Sequence, residues 1–177
     1  MSKLSPVQQK FILHWGEMGT SWGINRTVAQ VHALLFISPK PLNAEEIVET
    51  LGVARSNVST SLKELLGWGI VRRVHALGDQ RDHFESLKDV WEMFRVVLDE
   101  RKKREIDPTM HLLRECIAES EKDKQTDEYT VQRLRDLNTF FENTTAWYTQ
   151  IRNWPMTTVV KFVKLGDKML RLVGIGK

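Results

Sequence analysis

The 177 residues contain a single cysteine, Cys116, so no internal disulfide can staple the chain, and this usage fits a reducing compartment. No uninterrupted apolar run reaches the roughly 18 residues that a membrane span requires, and the first residues lack the apolar core of a secretory signal. These two absences predict a soluble, cytoplasmic protein. Metal and catalytic patterns are equally scarce. His14, His32, His75, His83 and His111 are scattered, and no short Cys/His spacing defines a zinc site. His75 and His83 would approach each other across a hairpin, but two ligands near a mobile tip hold zinc poorly. There is no phosphate-cradling glycine loop between a strand and a helix, nor a nucleophile with an identifiable base. Neither catalysis, a metal nor a cofactor is therefore expected. Repeats and low-complexity segments are missing too, and the length suits one small domain with an appended helical region. The net charge of +3 tolerates a polyanionic partner without arguing for one, since local placement decides affinity.

Residues 42–73, LNAEEIVETLGVARSNVSTSLKELLGWGIVRR, are the richest stretch. Asn43 is a good helix cap, Glu45 and Glu46 place negative charge in the first turn, and Ile47, Val48 and Leu51 share a face before Gly52 ends the helix. A second periodic run aligns Val58, Leu62 and Leu65 on one side. Arg55, Ser56, Asn57, Ser59, Thr60 and Lys63 fall on the other. Such a polar, small and basic face fits a major groove about 12 Å wide and carries the donors and acceptors that base edges and phosphates need. Ile70 to Leu77 then reads as a strand, Gly78-Asp79-Gln80-Arg81 as a turn, and Asp82 to Leu87 as the returning strand. Arg72, Arg73 and Arg81 would bring three guanidinium groups to this hairpin. Residues alternate across a strand, so one of Arg72 and Arg73 can face DNA while the other pairs with a carboxylate. Ser56, Ser59 and Thr60 suit phosphate, although hydroxyls that bond back to their own helix look the same in sequence.

The spacing of Leu42, Ile47, Leu51-Gly52-Val53, Arg55-Ser56-Asn57-Val58-Ser59, Leu62, Leu65, Gly69-Ile70-Val71 and Gly78-Asp79 resembles the MarR superfamily. Within it, Gly16-Glu17-Met18-Gly19, Gly23-Ile24-Asn25-Arg26-Thr27, Lys63-Glu64-Leu65 and Gly67-Trp68-Gly69 resemble the GbsR branch. The likeness covers residues 15–87; the C-terminal half is similar mainly in helical character. It implies a homodimeric transcriptional regulator, usually a repressor, open to control by a small-molecule effector. One residue departs from the pattern: Ala54 stands where the superfamily often has a serine cap, a loss of about 1 kcal/mol of helix stability.

Upstream, Ser5 and Pro6 mark a helix start, with Val7, Phe11, Ile12 and Trp15 as its apolar side up to Gly16 or Gly19. A second helix is expected from Ile24 to Ile37, built on Val28, Val31, Leu34 and Leu35. Downstream, Val90, Phe94, Val97 and Leu98 begin another helix with the charged tail Glu100-Arg101-Lys102-Lys103-Arg104, a run that reads better as a water-facing helix end than as a DNA contact. Asp107-Pro108 should restart the chain as cap and first residue. From Thr126 to Trp154, Leu134, Leu137, Phe141, Thr144, Tyr148 and Ile151 follow alternating steps of three and four, the spacing of a seam against another helix. A second copy is the preferred partner, because two recognition helices about 34 Å apart read a palindromic operator in double-stranded DNA. Packing of the seam inside one subunit is the plainer alternative.

Six tryptophans are many for this length. Trp22, Trp68, Trp91, Trp147 and Trp154, with Tyr148, could form a cage for a quaternary ammonium effector, although aromatics at helical spacing usually fill a core. Met156 to Val173 is amphipathic, with Lys161, Lys164, Lys168 and Arg171 on one side and Val159, Phe162, Val163, Met169 and Leu170 elsewhere. Dimer packing explains it more economically than an anionic membrane surface. The expected fold is mainly α: a winged helix-turn-helix with a small β-hairpin wing over residues 1–88 and a helical dimerisation and effector region over 89–177. The contrasting reading is a non-catalytic winged-helix module that binds a protein or an anionic membrane through its C-terminal helices.

Overall fold

Val28, Val31, Leu34 and Leu35 recur at helical spacing in α2 (Arg26–Ile37), and all four are buried. Around this helix is built the first of two compact units, Met1–Val97; the second is Leu98–Lys177. The computed structural model describes residues 4–123 and 125–165. Asn25, one residue past the expected Ile24, opens α2 by accepting from the Thr27 amide at 2.8 Å. Before it, α1 (Pro6–Ser21) starts at a Ser5–Gln8 capping box and runs through Gly16 and Gly19, where a stop was expected. Those glycines serve helix packing instead. A Cβ at Gly19 would lie 2.5 Å from the Ala29 Cβ, and one at Gly16 would lie 2.8 Å from the Gln30 Cγ, so both let α1 press onto α2.

After α2 come β1 (Leu42–Asn43), α3 (Ala44–Leu51), α4 (Arg55–Trp68), β2 (Val71–Ala76), β3 (Asp79–Ser86) and α5 (Val90–Arg101). Asn43 and Glu46 form a reciprocal capping box at 3.0 and 2.9 Å, and Gly52 closes α3 in the left-handed conformation. Val58, Leu62 and Leu65 of α4 join Ile47, Val31, Leu34, Ile70 and Phe84 in one apolar cluster. The three strands form an antiparallel sheet in the order β1-β3-β2, with Leu42 opposite Phe84 and Asn43 opposite His83. The two-residue β1 is invisible to strand patterning.

The architecture is a winged helix-turn-helix, and the wing turns earlier than expected. Gly78, at φ +83°, reverses the chain with Leu77, and β3 begins at Asp79, which pairs with Ala76. A bulge between His75 and Ala76 absorbs the shift in register. Asp79, Gln80 and Arg81, read as turn residues, therefore belong to a strand.

The division between the units falls within α5, between Val97 and Leu98. In the second unit the expected restart at Asp107 is absent. A π-helical segment, Lys102–Ile106, carries α5 directly into α6 (Asp107–Ser120), and Asp107 has ordinary helical dihedrals. Its carboxylate takes a 2.6 Å ion pair from Lys102 in place of a capping role. Pro108, the second residue of α6, lies inside this continuous helical run and donates no backbone N–H to the turn before it. Helix α7 (Glu128–Arg152), capped by Asp127, runs antiparallel to α6: Thr145 bonds Met110, Glu142 pairs with Arg114 and Arg135 with Glu121. Asp99 accepts from Tyr148 Oη at 2.7 Å and from Arg152 Nε at 2.8 Å, tying α7 to the end of α5. Helix α8 is Met156–Lys164. Of the amphipathic tail, Lys168, Met169, Leu170 and Arg171 lie outside the described residues.

Candidate nucleic-acid interface

Helix α4 is 14 residues long, about 21 Å at the standard rise, and its two sides differ in kind. Val58, Ser61, Leu62 and Leu65 are buried, while Arg55, Ser56, Asn57, Ser59, Thr60 and Lys63 are all exposed. The six expected readers thus form one polar flank on a helix braced by the core. Ala54 occupies the N-cap with no side-chain hydrogen bond, as its missing hydroxyl dictates. The first turn of α4 keeps its positive end free of any competing side-chain acceptor at the cap.

The arginines are not bare. Arg55 Nη2 lies 2.9 Å from Glu45 Oε1, Arg72 Nη2 lies 2.7 Å from Glu85, and Arg73 Nη1 lies 3.3 Å from Asp82. Arg72 and Arg73, expected to divide between DNA and a carboxylate, are both paired and both exposed. Arg81 Nε reaches both oxygens of Asp79 at 2.9 and 3.0 Å, and its amide donates to the same carboxylate at 3.0 Å. Residues two apart on a strand share a face, so the start of β3 at Asp79 makes this clamp possible. The guanidinium bonds hold the Asp79 carboxyl well below the usual carboxylate range. A guanidinium has five N–H donors, so a carboxylate that takes two or three fixes its direction and leaves others for phosphate. His83 turns inward to the Arg81 carbonyl at 2.9 Å, while its strand neighbour His75 is exposed.

Sequence reasoning missed these carboxylate partners. A signal existed only for Asp79 with Arg81, and it depended on knowing where the turn ends.

The aromatic residues are divided between the two units along the chain. Trp22 and Trp68 line one apolar cavity of about 230 Å³ in the first unit, together with Trp15, His32, Leu65, Ile70, Met93 and Phe94. Trp91 is exposed and does not line it. In the second unit Tyr148 bonds Asp99, Trp154 packs edge-on against Phe162 with ring centroids 5.8 Å apart, and Trp147 is 59% exposed. Trp15 and Phe94, the two aromatics of the cavity missed from sequence, looked like ordinary core positions. His32 bonds Ser86 Oγ through Nε2 at 3.2 Å, and burial holds it at about 4, below its ordinary 6.5.

The expected seam on α7 divides between two sides. Leu134, Phe141, Tyr148 and Ile151 are half-buried, whereas Leu137 is 44% exposed. Beside Leu137, Tyr129, Phe140 and Trp147 continue an exposed apolar stripe along the helix.

Residues 22–82 match the MarR family model. "Putative HTH-type transcriptional regulator YvaV" of Bacillus subtilis (strain 168) is 24% identical over 91 residues, 51% of this chain and 51% of that protein. "HTH-type transcriptional repressor OpcR" of the same organism is 23% identical over 74 residues, 42% of this chain and 40% of that protein. The matches thus span about half or less of these curated relatives. A solved structure of a transcriptional regulator shares the fold with a TM-score of 0.62 and 18% identity, over 83% of this chain and 96% of that one. The names of all three describe transcriptional regulation, and none describes catalysis. The stretch similar to the MarR family, residues 22–82, takes in α3 and α4, and α4 is the second helix of the helix-turn-helix.

Proposed function

We propose that this chain is a homodimeric, sequence-specific double-stranded DNA-binding transcriptional repressor of the GbsR-like branch, with its recognition helix in α4. The observation that carries the reading is the exposed polar flank of α4, six hydrogen-bonding side chains set back to back with a buried side of Val58, Leu62, Leu65 and the small Ser61. Asn57 has the paired donor and acceptor that match an adenine edge, and Arg55 and Lys63 match guanine or phosphate. Ser56, Ser59 and Thr60 fix register on the backbone, and Arg81, aimed by Asp79, follows the wing to phosphate or the minor groove. Arg72 and Arg73 add backbone contacts along the wing. The repressor among the relatives supports the direction of control.

The exposed stripe Leu137, Phe140 and Trp147 on α7 supports a second copy as partner, because apolar side chains of this size are seldom left in water without use. A palindromic operator follows from two-fold symmetry. An effector acts by binding two arrangements of the recognition helices unequally, and the change in DNA affinity equals that difference. Selecting bound fragments from random duplexes tests the reading. It predicts an inverted repeat with half-sites about 10–10.5 base pairs apart or a multiple of this. Recovery of no preferred sequence, or of a lone half-site, contradicts it.

A further inference from the structure

We propose that the apolar cavity of the first unit, walled by Trp15, Trp22, Trp68, Met93 and Phe94 beside His32, binds an uncharged, largely apolar small molecule of about bicyclic aromatic size. Its volume is about 230 Å³. Engineered cavities of about 150 Å³ take up benzene, and drug-sized pockets begin near about 300 Å³, so a two-ring ligand fits between these limits.

The walls decide the charge. Among the described residues that line the cavity there is no aspartate, glutamate, lysine or arginine, and tryptophan, phenylalanine and aliphatic side chains make up nearly all of them. The one titratable group among these described residues, His32, is buried, and burial disfavours its cationic form. An aromatic carboxylate would therefore meet no cation. A quaternary ammonium would meet indole faces and no carboxylate, and the attraction of a ring for a cation offsets only part of the cost of burying an unpaired charge. A neutral ligand meets neither obstacle and releases water from apolar walls. This ligand class differs from the quaternary ammonium that the tryptophan-rich sequence brings to mind.

The cavity also touches the reader from behind. Leu65 and Trp68 belong to the last turns of α4, and Ile70 precedes β2, so an occupant presses on the helix whose far side carries Asn57. The consequence for DNA rests on the function proposed above; binding to the cavity does not.

Three probes of similar size test the claim on the full chain at pH 7: 2-naphthol, 2-naphthoate and 2-naphthyltrimethylammonium. Nitrogen-15 NMR of the indole N–H groups reports occupancy. The expected result is that 2-naphthol shifts the Trp15, Trp22 and Trp68 resonances and binds at least about tenfold more tightly than either charged probe. Val90 lines the cavity yet is largely exposed, so Val90→Trp plugs it without disturbing the core. That variant should lose at least about tenfold in affinity for 2-naphthol at an unchanged melting temperature. Trp22→Ala, which removes one wall, is the second variant and should weaken binding as well. Equal or tighter binding of a charged probe overturns the assigned ligand class. Failure of 2-naphthol to bind, or binding that both variants leave intact, overturns the site. Gel shifts without any probe separate the two claims. Duplex binding without 2-naphthol binding sinks the cavity alone, and the reverse sinks the proposed function while the cavity stands.

Discussion

Helices α4 and α7 announce themselves in the same way, by apolar residues at steps of three and four, yet they end in opposite situations. Four residues of α4 are buried inside its own unit, whereas α7 has 25 residues and none is buried. One side of α7 meets α6 through Thr145 and Glu142, and the other displays Leu137, Phe140 and Trp147. Periodicity therefore reports that a helix has an apolar side, not which molecule covers it. Burial contributes roughly 25 cal/mol per Å². That gain is already collected by α4 within its own unit, while the exposed stripe of α7 leaves part of it unrealised.

The contrast can be broken at either end. Ile47 is fully buried beneath α4, so Ile47→Ala should destabilise the chain by about 2–5 kcal/mol in urea unfolding. A cost under about 1 kcal/mol would mean that this core does not brace the reader. Acid should loosen the same unit. The unfolded chain takes up a proton on His32 below about pH 6.5 that the folded chain refuses until about pH 4. The contribution is thus fully present above pH 6.5 and falls away, by an amount on the order of 3 kcal/mol, as pH drops towards 4. The variant His32→Leu should flatten stability across that window, and an unaltered pH profile would remove His32 from the account.

On α7, Phe140→Glu places a charge on the exposed stripe. It should raise the dimer dissociation constant by at least about a hundredfold, roughly 2.7 kcal/mol, in sedimentation, with helical content unchanged. A variant that self-associates like the parent removes the stripe from the interface. The smallest effect belongs to the wing. Arg81→Ala should weaken binding to all duplexes alike and lower the salt slope by about 1, whereas a change in base preference would assign Arg81 a reading role.

Much of the reader was legible because each signal was local. Asn43, Gly52 and the spacing of Val58, Leu62 and Leu65 fix caps and faces by themselves, and the six polar residues of α4 follow as the remainder. What escaped depended on the rest of the fold. Gly16 and Gly19 look like helix stops until α2 lies against them. β1 is two residues long and exists only by pairing with β3. Asp107 has the chemistry of a cap, but a π-helical segment carries the helix through it. The carboxylates that hold Arg55, Arg72 and Arg73 come from neighbouring elements, so no spacing along the chain reveals them. The cavity needs four helices to close it, and only two of its tryptophans stood out beforehand.

The central claim concerns what the polar flank of α4 touches, and Asn57 tests it most directly. Equilibrium binding at one fixed salt concentration, to a selected duplex and to a copy with one adenine changed, should show the parent discriminating by about 1–3 kcal/mol and Asn57→Ala losing that discrimination. Equal discrimination by parent and variant at every adenine of the site would contradict the placement of this helix in the groove.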